Sequence, residues 1–313
     1  VTLLRVATRG SELALAQARK VAAQIEVALG VETELVILVT SGDRLQNVKL
    51  ADVGGKGLFV KEIEEALLDG RADVAVHSAK DLPAALASGL TLAAMPERAD
   101  PRDALVTRVP GLRLADLPHG ARIGTGSARR AAQLRALRPD FVIAPLRGNV
   151  PTRLRKLESE GLDAVVLACA GLDRLGLGAR IAERIPAEVL LPALGQGTLA
   201  IEARWGEALA RDLAALDDPM TAASLGAERA FLAKLQGDCN VPIAGFAEVV
   251  DNRSLRLRGL VALEDGTAIA RAEAEAAVET PALAGERAAD AVLAAGGAAI
   301  LEKLRAAAPG RTG

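Results

Sequence analysis

Apolar runs of strand length recur through the first two thirds of this chain, and the turns beside them set a charged residue next to Gly, Ser or Thr. Seven stretches have this form: Ala7-Thr8-Arg9-Gly10-Ser11, Gly54-Gly55-Lys56-Gly57, His77-Ser78-Ala79-Lys80-Asp81, Gly124-Thr125-Gly126-Ser127-Ala128-Arg129-Arg130, Leu146-Arg147-Gly148-Asn149, Thr152-Arg153 and Gly171-Leu172-Asp173-Arg174. A strand followed by a turn that opens a helix is the βαβ pattern, which lays helices on the faces of a parallel sheet. Residues 3–7, 34–40 and 72–76 read as strands. Ser11 is placed to cap a helix reaching about Leu29, and 58–68 reads as a second helix stopped by Gly70.

The polar stretch 97–103 reads as a linker or hinge into a second α/β unit. That unit has strands ending at Gly124 and over 141–144 and 163–168, a helix over 127–137, and another opening near Pro151. The strand 198–203 is expected to return to the first unit. From Asp217 the pattern changes to a helix over 220–235, strand-like runs at 243–250, 255–263 and 268–274, and one long Ala-rich helix over 281–306. The expected domains are 1–97 with 198–216, 98–197, and an α+β domain over 217–313.

Composition removes several classes of function. A formal net charge of -2 over 313 residues gives nucleic acid little to bind, and 2% aromatics with no Tyr leave few stacking platforms for bases. No apolar run is long enough for a membrane span, and the first residues lack the basic segment and apolar core of a signal peptide, so a cytoplasmic location is expected. The two Cys (Cys169, Cys239) and two His (His77, His119) are not at metal-ligand spacing, and no metal is expected.

Arg9, Arg129, Arg130, Arg147, Arg153 and Arg174 all fall at or near strand-to-helix transitions. In open α/β sheets these lie at the carboxyl ends of the strands, where ligands bind. So many guanidiniums in one cleft repel one another unless anions neutralise them, and their planar fork suits carboxylates. Ser11, Thr125 and Ser127 can cap helices and offer hydroxyls to the same anions. Lys56 lies in a Gly-rich loop that lacks Walker A spacing. Asp81 is a lone acid in this basic setting, suited to balancing a cation or holding an N–H. Cys239, in Gln236-Gly237-Asp238-Cys239-Asn240-Val241-Pro242, sits on a loop between a helix and a strand, where a thiol meets electrophiles. Cys169 reads as a small apolar residue on a buried strand, and His77 as a backbone-bonded residue after a strand.

These residues carry a resemblance. Ala7-Thr8-Arg9-Gly10-Ser11, Val53-Gly54-Gly55-Lys56-Gly57-Leu58-Phe59, Val76-His77-Ser78-Ala79-Lys80-Asp81-Leu82-Pro83, Leu146-Arg147-Gly148-Asn149, Leu191-Pro192-Ala193-Leu194-Gly195-Gln196-Gly197 and Gly237-Asp238-Cys239-Asn240-Val241-Pro242 resemble the hydroxymethylbilane synthases, also called porphobilinogen deaminases. The likeness runs in order from about residue 4 to about residue 306. It implies an α/β fold of two periplasmic-binding-protein-like lobes plus a smaller α+β C-terminal domain. It implies a monomeric transferase that joins four porphobilinogen molecules head to tail into hydroxymethylbilane, releasing ammonia. It implies a dipyrromethane cofactor held as a thioether on Cys239, with Asp81 catalytic. Lys56, Ser78, Lys80, Asp81, Thr125, Ser127, Arg129, Arg130 and Gly148 fall on cofactor-binding positions. Arg9, Ser11, Phe59, Arg147, Arg153, Arg174 and Gln196 fall on substrate-binding positions.

Some positions depart from the family pattern: Asp52 stands where relatives have Lys, Gly126 where Ser is frequent, and Asp238 and Asn240 flank the cofactor Cys in place of Gly and Gln. Asp238 puts negative charge beside the thiol and opposes its ionisation. The alternative reading is a two-lobed polycarboxylate-binding protein without chemistry.

Overall fold

A computed structural model describes residues 3–44, 60–236, 241–251 and 253–307, with side chains except that of Arg44. In chain order its elements are β1 (Leu3–Arg9), α1 (Glu12–Leu29), β2 (Glu32–Leu38), α2 (Ser41–Arg44), α3 (Lys61–Leu68), β3 (Val74–Ser78), β4 (Leu90–Ala94), β5 (Asp103–Thr107), β6 (Arg122–Thr125), α4 (Ala128–Leu137), β7 (Val142–Pro145), α5 (Val150–Ser159), β8 (Ala164–Ala168), α6 (Cys169–Arg174), β9 (Glu183–Ile185), β10 (Leu199–Arg204), α7 (Ala208–Asp212), α8 (Pro219–Leu235), β11 (Ile243–Val249), β12 (Ser254–Ala262), β13 (Ile269–Ala277), α9 (Pro281–Val292) and α10 (Ala298–Ala307).

Two five-stranded sheets share one topology. The first runs β2-β1-β3-β10-β4 and the second β7-β6-β8-β5-β9. In each, the fourth strand in the row is antiparallel to its neighbours: β10 against β3 and β4, β5 against β8 and β9. The sheets are therefore mixed, where the βαβ pattern alone predicts parallel ones. The exception has a topological cause: β5 and β10 are the strands by which the chain enters each lobe from the other. The two crossovers, 95–102 and 186–198, form the double hinge.

Each sheet is packed on both faces. Val6, Val74 and Ile201 meet α1 residues Val21 and Ile25, while Ala7 and Ala75 meet Ile63 and Leu67 of α3. In the second lobe, Leu105, Ile123 and Val166 pack with Leu134 of α4, and Val106, Val165 and Leu167 pack with Leu154 and Leu157 of α5. Alternate residues of one strand face opposite sides, as a two-residue side-chain period requires.

The remainder is an antiparallel β11-β12-β13 sheet whose inner face packs on α8, α9 and α10 around Phe231. The single C-terminal helix read from the sequence is broken: Gly296 takes φ 104°, and a wide turn over Leu293–Gly297 separates α9 from α10. A left-handed residue cannot continue a right-handed helix, and Gly adopts that geometry at little steric cost.

Candidate active site

The carboxyl ends of the parallel strands in both lobes open onto one cleft of about 600 Å³. Ten of the expected residues line it: Arg9, Ser11, Ser78, Lys80, Asp81, Arg130, Arg147, Gly148, Arg153 and Arg174. Lys56, Phe59 and Cys239 lie outside the described residues, as do Asp52, Asp238 and Asn240.

The first-lobe wall begins at the end of β1. Ser11 caps α1, its Oγ accepting from the Ala14 N–H at 3.3 Å. Arg9 donates from Nε to Asp43 Oδ1 at 3.2 Å, and its Nη2 also bonds Asp43. Asp43 is locked in turn by a reciprocal cap: its Oδ2 accepts from the Thr40 hydroxyl at 2.7 Å, and Thr40 Oγ1 accepts from the Asp43 N–H. Burial pushes the Asp43 carboxyl up, but the bonds from Arg9 and Thr40 outweigh it and hold the carboxyl below its ordinary value. Asp43 also lines the cleft, so Asp81 is not the lone acid there.

At the end of β3 the chain makes a single tight turn over Ala79–Asp81. Ser78 Oγ accepts from Gln17 Nε2 at 3.0 Å, and Asp81 is exposed to the cleft. Burial draws the Lys80 ammonium down to about 8, with Asp81 pulling the other way. Gly195, with φ 73°, passes so near this turn that a Cβ there would sit 2.8 Å from the Lys80 nitrogen. His77 is inside β3 and bonds the Glu202 side chain at 2.9 Å, not backbone.

The second-lobe wall is cationic. Arg129 and Arg130 both grip the fully buried Asp103, Arg129 Nη1 reaching Oδ2 at 2.8 Å and Arg130 Nη2 reaching Oδ1 at 2.6 Å. Gln196 Nε2 joins the same oxygen at 2.9 Å. Burial pushes the Asp103 carboxyl up, but the two guanidiniums overcome it and hold it far below the carboxylate range. Ser127 caps α4, accepting from the Arg130 N–H at 3.4 Å, and the Thr125 hydroxyl accepts from the Ser127 N–H at 3.2 Å. Thr125, Ser127, Arg129 and Gln196 therefore stand behind the wall and are not among its lining residues. Gly126 lines the cleft, and a Cβ there would lie 2.4 Å from the Leu146 carbonyl, so this backbone path needs Gly.

Arg153 and Arg174 complete the wall differently. Arg153 Nε donates to the Gly148 carbonyl at 2.7 Å, and Arg174 Nη2 to the Gly197 carbonyl at 2.6 Å. Burial draws each guanidinium down to about 10; Arg130 adds to this at Arg153, while Asp81 of the opposite wall opposes it. The Arg174 Nε is buried with no hydrogen-bond partner among the described residues. Both are binding capacity for an anion that this chain does not itself supply. Arg174 lies in α6 rather than at a turn opening a helix. Cys169, also in α6, is fully buried, and burial pushes its thiol up to about 12, so it is no rival for ligand attachment.

Sequence reading missed Asp43 and Asp103. Thr40-Ser41-Gly42-Asp43 has capping-box spacing and could have revealed the first. Asp103 was hidden in the stretch read as linker, though it begins β5.

A hinged α/β pair with guanidiniums converging on one crevice defines a protein built around a polycarboxylate. The matching family models are "Porphobilinogen deaminase, dipyromethane cofactor binding domain" over residues 4–212 and "Porphobilinogen deaminase, C-terminal domain" over 222–294. Similar proteins include the porphobilinogen deaminases of Sorangium cellulosum (55% identical, covering 87% of this chain and 91% of that one), Roseiflexus castenholzii (49%, covering 95% and 98%) and Syntrophotalea carbinolica (51%, covering 96% of each). The chain belongs to the porphobilinogen deaminase family. It is a transferase of tetrapyrrole biosynthesis that joins four porphobilinogen molecules into hydroxymethylbilane with loss of ammonia, and it uses a dipyrromethane cofactor. The reading as a binding protein without chemistry has no support. The cleft fits the cofactor: a dipyrromethane carries carboxylates, and the buried Arg174 Nε and two guanidiniums that hydrogen-bond only backbone carbonyls among the described residues are the donors such a group requires.

Proposed function

We propose that Asp81 is the catalytic carboxylate, that Cys239 carries the cofactor, and that the second-lobe arginines hold the carboxylates of the cofactor and growing chain. Lys80, Arg130 and Gly148 would hold the cofactor within the cleft. Arg9, Ser11, Arg147, Arg153 and Arg174 would take the incoming and extended rings. Arg129, Thr125, Ser127 and Gln196 serve from behind, fixing Arg130 and Asp103. Lys56 and Phe59 are assigned on the family motif. When bound, the cofactor supplies the terminal pyrrole carbon that is extended.

The observation that carries this reading is the meeting of one exposed carboxylate, Asp81, with guanidiniums of the opposite wall, Arg153 and Arg174, that hydrogen-bond only backbone carbonyls among the described residues. Loss of ammonia leaves positive charge on a pyrrole whose own carboxylates are drawn to the arginines. A fixed negative charge beside the ring lowers the barrier because it is in place before that charge develops. The same carboxylate can accept a bond from a ring N–H and orient the ring. Asp81→Asn keeps the shape and removes the charge. It is expected to bind porphobilinogen with a KM within about threefold of wild type while kcat falls about 100-fold or more, the loss typical of one preorganised group. Stopped-time assays of porphobilinogen consumption check this; near-normal kcat would remove Asp81 from the mechanism.

The domains we assign are 1–97 with 198–216, 98–197 and 217–313, supported by the return of β10 to the first sheet and the separate core around Phe231. We assign the enzyme to the cytoplasm as a monomer, acting on a small molecule without nucleic acid or membrane. A net charge of -2 supports the absence of a nucleic-acid partner, and among the described residues no helix is long and apolar enough to cross a membrane.

A further inference from the structure

We infer that Arg229 is a positioning residue for the reaction: from helix α8 it grips the backbone two and three residues after Asp81 and so sets that carboxylate in the cleft. This rests on the role proposed above for Asp81.

Three observations converge on α8. On one face, Leu225 packs with Ala79 and Leu82 of the catalytic turn, together with Val60 and Ala200. One helical turn later on that face, Arg229 donates from Nη1 to the Pro83 carbonyl at 3.1 Å and from Nη2 to the Ala84 carbonyl at 2.8 Å. These carbonyls belong to the irregular segment between β3 and β4, outside any sheet ladder. Next to Arg229, Glu228 is fully buried and holds the double hinge: it accepts from Arg98 Nη1 at 2.7 Å, from the Ala247 N–H at 2.9 Å and from the Gly195 N–H.

The guanidinium also has a counter-charge in the first lobe. Burial draws the Arg229 pKa down and Glu202 draws it back up. Glu202 is fully buried on β10, its Oε2 bonded to His77 Nε2 at 2.9 Å, and its Oε1 has no hydrogen-bond partner among the described residues. His77 is the residue before Ser78 on β3. The chain is thus held on both sides of Asp81, upstream through the His77–Glu202 bond and downstream through Arg229. A helix that touches the catalytic turn and both crossovers fixes their spacing, and displacements near 1 Å are costly to turnover.

The test compares Arg229→Met, Arg229→Lys and Asp81→Asn with the wild-type enzyme, all purified with cofactor and checked by intact mass. Arg229→Met is expected to carry the same cofactor mass as wild type. Its kcat should fall about 10- to 100-fold with KM within about threefold. Amide exchange over 79–84 should quicken about tenfold or more, with β12 unchanged. Arg229→Lys, which keeps the charge and one donor, should recover part of both losses. If Arg229→Met does not fold, Arg229→Lys decides by the same readings: a lower kcat with faster exchange confined to 79–84 supports the inference, and wild-type values overturn it. Unchanged kcat in Arg229→Met, or exchange quickened equally in β12, would also overturn it. Normal turnover by Asp81→Asn would instead defeat the reading of Asp81 on which it rests.

Discussion

The two walls of the cleft are built from the same topology and carry opposite electrostatic characters. On the first-lobe wall the charged lining residues Arg9 and Lys80 are matched by Asp43 and Asp81. On the second-lobe wall Arg130, Arg153 and Arg174 line the cleft, and among the described residues no carboxylate lines that wall. Arg130 is neutralised from behind by Asp103, whereas Arg153 and Arg174 lie half-buried beside backbone carbonyls. A balanced wall can hold a charge aimed at a reacting ring, and an unbalanced one draws a polyanion. The contrast teaches that guanidiniums of one motif set divide by their partners: those tied to buried carboxylates build the wall, and those lacking them await a ligand.

The contrast can be broken most severely at Asp103. Asp103→Ala leaves two buried guanidiniums without their counter-charge, and the expected loss is about 3–5 kcal/mol of stability, as for one partner of a buried ion pair. Chemical denaturation measures it. The pH dependence has a definite sign. The folded carboxyl lies far below its unfolded value, so its stabilisation is present above about pH 4 and is lost as pH falls toward the folded value. In Asp103→Ala that part of the acid limb should vanish.

A smaller effect is expected where the wall lacks carboxylates. Arg153→Leu should cost about 1.5–3 kcal/mol of ligand binding, the worth of a charged hydrogen bond, and should stall the reaction at enzyme carrying one to three added rings. Intact-mass spectra after brief exposure to porphobilinogen would show the ladder; wild-type intermediates throughout would mean that Arg153 does not hold the chain. Lys80 gives a subtler reading. In the cofactor-free protein burial draws its ammonium down to about 8, so cofactor loading of that protein should slow as pH rises through about 8, and that limb should move above 9 in Lys80→Arg. The smallest change is at Lys61, whose exposed pair with Glu65 is 3.9 Å long: Lys61→Ala should alter stability by no more than about 0.5 kcal/mol and leave kcat unchanged.

Much of this was legible in the sequence because its signals are local. Ser11 and Ser127 do cap the helices they precede, and the strands ending at Arg9, Ser78 and Thr125 deliver their turns to one cleft. What escaped depends on distant partners. β4, β5 and β9 are strands of three to five residues whose neighbours come from remote chain segments. Asp103 looked like a linker acid because Arg129 and Arg130 follow it by 26 and 27 residues. Arg129 and Gln196 carried motif positions, yet only packing shows that they stand behind the lining. His77 faces Glu202, 125 residues away, a contact that no local pattern announces.

The most direct test of the account is the intact mass of the enzyme purified after expression with ample porphobilinogen, beside Cys239→Ser and Cys169→Ser prepared identically. The account predicts added mass of two pyrrole units on the wild-type protein and on Cys169→Ser, and none on Cys239→Ser. Retention of that mass by Cys239→Ser, or its loss from Cys169→Ser, would contradict it.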